Sequence, residues 1–292
     1  MTIGSAPWRF IAISISISFF ILAIIIYLLG GPNPYSVPEG TIQLGWYQES
    51  GSNTISNMHF TFDLDIEQKV VYLTFLFNYA NNDTFHIMAI LPVIIEDYIY
   101  PPRDANWTVK VLEPYGSVVF IEYKGVIKDR ENGFAILNQG FKIKPYPIYH
   151  DHGHYQILLP AGKAIPKAIS DAIKFRPIIS PGSYEATVTI VLPAEVIPQN
   201  AQPPLSEISI IAEHGRRSLI LKWHTDGLSP ILVTYLNPTE QSKYQLCLSL
   251  AAISFSLALF FLGTLIRRQS KNFITFNRPI LTDEEDAKEA KT

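Results

Sequence analysis

The sequence predicts a mainly β protein, with an antiparallel, β-sandwich-like domain outside the cytoplasm flanked by two transmembrane helices. Three observations lead to this fold class. A long uncharged apolar segment lies near each end of the chain. Between them, apolar and polar residues alternate with the period of two that is typical of half-buried strands. Clusters of turn-forming residues separate these alternating stretches.

The first apolar segment, residues 10–29, carries no charge over 20 residues. As a helix it would be roughly 30 Å long, which is about the thickness of a hydrocarbon core. The alternative is a cleaved signal peptide. The apolar run is longer than the about 7–15 residues usual for such peptides, and the following Leu-Gly-Gly-Pro-Asn-Pro lacks a clear small-x-small cleavage site. These features favour an uncleaved anchor.

The second apolar segment, residues 244–266, is also uncharged and long enough to span a bilayer. Basic residues near the segment ends set the orientation. Lys243 alone precedes the second span closely, whereas three basic residues follow it and one precedes the first span: Arg267, Arg268, Lys271 and Arg9. We therefore expect a two-pass cell-membrane protein with residues 31–243 outside and cytoplasmic termini, 1–9 and a polar tail, 267–292.

The region between the spans shows its clearest alternation at 58–66, where Met, Phe, Phe, Leu and Ile face one way. Val, Ile, Tyr, Phe and Thr also dominate further strand candidates, which favours β structure: 41–48, 69–79, 84–91, 106–112, 117–123, 154–159, 184–192, 208–213, 218–224 and 230–236.

The subdivision of this region follows from one proline-rich stretch. Residues 193–206 contain four prolines and are predicted to be a linker. This linker would separate a main β-rich domain, 30–192, from a membrane-proximal meander, 207–243. Within the main domain, isoleucines and alanines at helical spacing predict one short amphipathic helix at 164–174.

Composition limits the functions that the sequence allows. The net charge of −3 implies no general attraction to nucleic acid. The single cysteine, Cys247, lies inside the second span, so the outer domain has neither disulfides nor a cysteine nucleophile. The sequence contains no G-x-S-x-G elbow, P-loop, H-E-x-x-H or C-x-x-C motif. We therefore expect a protein that is not an enzyme.

The most pointed chemical feature is Tyr-His-Asp-His-Gly-His-Tyr at 149–155, with His150, His152 and His154 at alternate positions. In an extended strand, alternate residues share a face and lie within about 7 Å, so their imidazoles could bind copper or zinc, with Asp151 as an outer-shell partner. However, Asp151 and Gly153 are turn formers, and a tight turn would spread the rings. The turn chemistry favours an exposed turn.

The sequence thus predicts a non-catalytic interaction or structural component of the cell surface or of a membrane complex. Its partners would be the lipid bilayer and another membrane or surface protein, without nucleic acid. The alternative is an extracytoplasmic copper- or zinc-binding protein that uses the His150, His152 and His154 cluster.

Overall fold

A computed structural model describes the protein over residues 6–29, 43–49, 55–80, 82–126, 133–161, 177–178, 185–213, 216–225 and 229–276. The chain divides into two compact units, one formed by residues 1–31 and 242–292 and the other by residues 32–241. The second unit holds all sixteen strands of the described ranges. The prediction of a mainly β fold is therefore confirmed.

The strands are β1 Gly45–Glu49, β2 Ile55–Asp65, β3 Val70–Tyr79, β4 Thr84–Leu91, β5 Ile95–Tyr98, β6 Asn106–Leu112, β7 Gly116–Lys124, β8 Gly133–Ile143, β9 Tyr149–Asp151, β10 His154–Leu159, β11 Pro177–Ile178, β12 Glu185–Pro193, β13 Ile197–Gln202, β14 Glu207–Glu213, β15 Arg216–Thr225 and β16 Ile231–Leu236. They form three sheets. The largest has the order β14-β15-β12-β2-β3-β8-β5, and the others are β11-β1-β4-β7-β6 and β13-β16-β10-β9. Pairing is antiparallel except between β12 and β2.

The alternating pattern of β2 explains how the seven-stranded sheet packs. Phe60, Phe62 and Leu64 are fully buried, and one cluster of buried apolar side chains extends over all three sheets. Aromatic rings join the seven-stranded sheet to the five-stranded sheet. Trp46 of β1 lies 4.5 Å from Phe60 between ring centroids, and Phe77 of β3 meets Phe85 of β4 edge-on. Burial of these large apolar surfaces is the main stabilising contribution.

Strand β8 is a long inner strand of the seven-stranded sheet that the sequence pattern did not predict. Its inward side includes the buried Gln139, whose amide donates to the carbonyl oxygens of Tyr100 and Gly140 at 2.8 and 3.1 Å. Its outward side carries the exposed apolar residues Phe134 and Ile136. Apolar residues on both faces and a polar residue in the core together erase the period-two signal.

The stretch 193–206, predicted as a linker, contains strand β13 instead. Residues 197–202 pair with β16, and the pairing shifts between Pro198 and Asn200. Because β13 is an edge strand, its proline removes no hydrogen bond from a central ladder. The following strands β14 and β15 belong to the seven-stranded sheet, so they do not form a separate meander. The predicted helix at 164–174 lies outside the described residues.

Two helices form the described part of the other unit: α1 Ala6–Leu29 and α2 Pro238–Phe276, whose first four residues belong to the β unit. Helix α2 contains one stretch, Pro238–Thr264, that is long and apolar enough to cross a membrane. The apolar stretch found in α1, Ile13–Ile26, is shorter. The two helices touch where Ser16 Oγ donates to the Ala258 carbonyl oxygen at 3.3 Å.

Candidate functional site

The histidine-rich segment forms a β-hairpin. Strands β9 and β10 pair with Asp151 opposite His154, so His152 and Gly153 are the two central residues of the turn. Both have positive φ angles, +53° and +85°. Positive φ at both central positions is the signature of a type I′ turn, which matches the twist of the flanking strands. The structure therefore places a tight turn in the middle of the histidine cluster.

The three histidines of this segment have different partners. His150 Nε2 lies 3.4 Å from Glu240 Oε2, His152 pairs with Asp151, and His154 Nδ1 lies 3.2 Å from Gln199 Oε1. Within the described residues, no group of three or more His, Cys, Asp or Glu side chains is arranged to hold a metal ion. Metal binding by His150, His152 and His154 stays a prediction from the sequence.

The hairpin packs against the first turn of α2, within the β unit. Asn237 caps this helix, since its side-chain oxygen accepts from the backbone N–H groups of Thr239 and Glu240 at 3.1 and 3.2 Å. Its own N–H donates to the Gly153 carbonyl oxygen at 2.8 Å. Glu240 then accepts the hydroxyl hydrogen of Tyr155. The hairpin thus binds the start of α2 through both backbone and side-chain groups.

Tyr155 is the centre of this contact. Its ring stacks on His150 at 4.6 Å and on Tyr235 at 5.0 Å between centroids. Burial, followed by the hydrogen bond to Glu240, raises the pKa of Tyr155 above its ordinary value. Burial and then the charge of Glu240 raise the pKa of Tyr235 as well. Both hydroxyls therefore remain protonated in the physiological range, and Tyr155 acts as a donor.

A second polar cluster lies on the face of the seven-stranded sheet that is turned away from the core. Thr187 Oγ1 of β12 lies 3.0 Å from His59 Nε2 of β2 and 3.0 Å from His224 Nδ1 of β15. Glu185 Oε2 lies 3.5 Å from the other ring nitrogen of His59. We call these four side chains the sheet histidine cluster. The alternating pattern predicted the outward side of β2, but no local signal indicated that His59 and His224 would meet.

The carboxylate of Asp63 lies farther along the same face of β2. Burial raises the pKa of Asp63 above its ordinary value of 3.8, and a hydrogen bond from Thr189 and the charge of Lys222 offset this only in part. Lys222 Nζ also lies 3.7 Å from Glu207 Oε2 on β14. The outward face of the sheet therefore carries a polar band across its central strands.

His86 and Met88 lie on the outward side of β4, because alternate residues of a strand share one face and Phe85, Ile87 and Ala89 face the core. Met88 is buried, whereas His86 lines a depression of about 310 Å³ together with Asn106 and Glu122. Asn106 Nδ2 donates to Glu122 Oε2 at 3.4 Å. The burial of Met88 leaves the depression without an accessible thioether.

Strand β14 is the least protected sheet edge among the described strands. Ile208, Ile210 and Ile211 are 53%, 64% and 39% exposed. Proteins commonly blunt their edges with proline, lysine, bulges or very short strands. The other described edges show features of this kind. Strand β5 has a register irregularity and acidic residues, β6 contains Lys110, and β13 contains Pro198. Strands β9 and β11 are only three and two residues long. Strand β14 has seven residues, with acidic residues only at its two ends and with no proline, lysine or register irregularity.

No protein-family model and no curated protein matches the sequence. Among solved structures, a proposed nutrient-binding protein from Legionella pneumophila is 8% identical, with 73% of this chain and 75% of that chain covered and a TM-score of 0.37. An M1 zinc metallopeptidase from Deinococcus radiodurans is 8% identical over 65% of this chain and 43% of that chain, with a TM-score of 0.29.

Yeast LTA4 hydrolase is 14% identical over 69% of this chain and 32% of that chain, with a TM-score of 0.32. This chain thus spans less than half the length of the metallopeptidase and of the hydrolase. With TM-scores this low, none of these similarities supports an argument about the function of this chain.

Proposed function

We propose that this protein is a non-catalytic interaction component of a cell membrane. Two spans, 10–29 and 244–266, anchor it with both termini in the cytoplasm, and residues 31–243 form a sandwich-like β unit outside. The unit binds an extended segment of another membrane or surface protein, which pairs with β14 as an eighth strand.

The exposed edge of β14 is the observation that carries this proposal. A free strand edge presents a row of backbone N–H and C=O groups that an added strand can satisfy. Ile208 and Ile210 lie opposite Leu221 and Leu219 in the register with β15, so they continue the core-facing side of the sheet. Apolar side chains of an added strand would extend this apolar side.

The charges at the ends of β14 favour a different protein over a second copy of this chain. Glu207 and Glu213 occupy the two ends. A full-length antiparallel pairing of two β14 strands would place each glutamate opposite the other, and like charges directly opposite one another are destabilising. A partner strand with alternating apolar residues and basic residues at its ends fits better.

The non-catalytic part of the proposal is supported by the environment of Thr187. A hydroxyl near a histidine and a carboxylate resembles the parts of a hydrolytic triad. However, Thr187 is only 3% exposed, and β12 is paired on both sides by β2 and β15. Its backbone N–H groups therefore belong to ladders, whereas acyl transfer requires N–H groups directed at an oxyanion.

Contacts between the helices support the retention of residues 10–29 as an anchor. Besides the Ser16 hydrogen bond, the rings of Phe19 and Phe261 stack with centroids 6.3 Å apart. Small residues are buried on α2, namely Ala251, Ser254 and Ala258. Small residues allow close approach of helices in lipid. A cleaved first segment would leave this side of α2 without its helix partner.

Site-directed crosslinking in native membranes tests the proposed partner. A photoreactive amino acid replaces Ile210 on β14 or, as the matched control, Lys110 on the edge strand β6. We expect a discrete product of higher mass from position 210 only, and its loss when Ile208→Lys is added. Equal products at both positions, a product with the mass of two copies of this chain, or no product would contradict the proposal.

Thiol labelling of intact cells tests the orientation separately. In a Cys247→Ala background, a cysteine replaces Glu195 in the β unit or Ser270 after the second span. A membrane-impermeant reagent should label position 195 before lysis and position 270 only after lysis. The reverse pattern would show that the proposed orientation is inverted.

A further inference from the structure

We propose that the sheet histidine cluster is a binding site for a divalent transition metal, with copper(II) bound most tightly. His59 and His224 supply the two imidazole ligands, Thr187 lies between them, and Glu185 orients His59. This site is separate from the histidine hairpin and independent of the proposed partner strand.

The strand register brings the two imidazoles together. Strand β12 lies between β2 and β15, and Thr187 is directly opposite His224 in the antiparallel pairing with β15. Both ring nitrogens lie 3.0 Å from the Thr187 hydroxyl oxygen, so they are no farther apart than twice that distance. The ladders hold the three backbones in place, which fixes where the side chains start.

Binding requires only a small side-chain movement. Metal–imidazole bonds of about 2.0–2.1 Å require the two nitrogens to be roughly 3–4 Å apart. His224 is exposed and His59 has 29% of its side chain exposed, so both rings have room to turn toward a shared ion. Thr187 itself is buried, so water would complete the coordination from the exposed side of His224.

The hydrogen bonds direct the required lone pair of His59 toward the site. Glu185 Oε2 lies 3.5 Å from Nδ1 of His59, which favours the tautomer with its proton on Nδ1 and leaves the Nε2 lone pair facing Thr187. A carboxylate that orients a histidine in this way fixes its tautomer and raises its basicity as a ligand. With His59 in that tautomer, Thr187 Oγ1, which lies 3.0 Å from a nitrogen of each ring, donates to His59 Nε2 and accepts from Nδ1–H of His224. On metal binding the His224 proton moves to Nε2.

The donor set favours copper(II). Two imidazole nitrogens completed by oxygen ligands suit the tetragonal coordination of this ion, and affinities rise along the first-row series to copper before falling at zinc. Only two histidines contribute, so the site is smaller than a group of three or more His, Cys, Asp or Glu ligands. It requires neither a thiolate nor a thioether.

The test is a competition titration of the full-length chain in detergent, without a histidine tag, using Cu²⁺ and Zn²⁺ against a chromophoric chelator. His59→Gln and His224→Gln should each lower copper affinity at least about tenfold. Glu185→Gln should lower it about 10-fold or more, because it acts through His59. The matched control is the triple variant His150→Ala, His152→Ala, His154→Ala, which should bind one copper with unchanged affinity.

A spectroscopic readout separates ligation from a structural effect. Paramagnetic resonance of the copper complex should show coupling to two imidazole nitrogens in the native chain and to one in either glutamine variant. Circular dichroism of each variant checks that the fold is intact. The proposal is overturned if copper does not bind, if the glutamine variants bind it unchanged, or if only the hairpin triple variant loses it.

Discussion

The turn between β9 and β10 allows a direct test of the hairpin structure through Gly153→Ala. Gly153 has a φ of +85°, and a Cβ atom there would lie 2.7 Å from the backbone nitrogen and 2.9 Å from the Cα of Gln241. Both contacts are with backbone at the start of α2, so no flexible side chain can move away. The substitution therefore combines an unfavourable backbone conformation with a steric clash.

The expected loss of stability follows from these terms. A left-handed conformation costs a residue with a Cβ about 1–2 kcal/mol. The displaced backbone would also weaken the bond that Asn237 N–H donates to the Gly153 carbonyl, which contributes about 1 kcal/mol. We expect Gly153→Ala to lower the free energy of unfolding by about 2–4 kcal/mol.

His152→Asn is the matched control at the neighbouring position. It produces the dipeptide most favoured in type I′ turns, because asparagine tolerates positive φ better than histidine. We expect its unfolding free energy to be unchanged or up to about 1 kcal/mol higher. Denaturant unfolding of the detergent-solubilised chain, followed by circular dichroism, measures both variants. The reasoning is refuted if Gly153→Ala is neutral or if His152→Asn is the more destabilising change.

Two further predictions concern ionisable side chains. Glu240→Ala should lower the free energy of unfolding by about 1–3 kcal/mol, because the half-buried Tyr155 hydroxyl loses its charged acceptor. The control Thr239→Ala should have little effect on the unfolding free energy. An alkaline absorbance titration of Glu240→Ala should show a lower pKa for Tyr155 than in the native chain. Asp63→Asn should raise the unfolding free energy at pH 7. Because burial raises the pKa of Asp63 in the folded state, the folded chain binds the proton more tightly and loses stability as the pH rises above about 3.8. Unfolding curves at several pH values should show this decline for the native chain and for the control Glu195→Gln, but not for Asp63→Asn. A steeper decline in Asp63→Asn would contradict the raised pKa of Asp63 as its cause.

Local patterns predicted most of the secondary structure. The alternation at 58–66 corresponds to β2 at Ile55–Asp65, and the candidates 84–91 and 106–112 match β4 and β6 as observed. Strand β8 was not predicted, because its outward face carries the apolar residues Phe134 and Ile136 and its sequence therefore does not alternate between apolar and polar. Strand β13 was predicted as part of a linker because of its proline, although an edge strand tolerates proline.

The histidine hairpin could be predicted in part. Asp151 and Gly153 indicated a turn, and the structure has one, with positive φ at His152 and Gly153. The contact of Tyr155 with Glu240 could not be predicted, because these residues are 85 positions apart and meet only when β10 pairs with β16. Pattern analysis detects short-range periodicity but not such pairings.

The sequence by itself determined the mainly β class, the apolar segments at both ends and the outward direction of His59 on its strand. These properties depend on the period of side chains along one element, which every local stretch displays. Only the tertiary structure decided that His59 and His224, 165 positions apart in the chain, share one hydroxyl on Thr187. Strand order and register set that proximity, and they result from the packing of the whole core. The three histidines of the hairpin, by contrast, lie at alternate positions but have different partners, because His152 is in the turn between the other two.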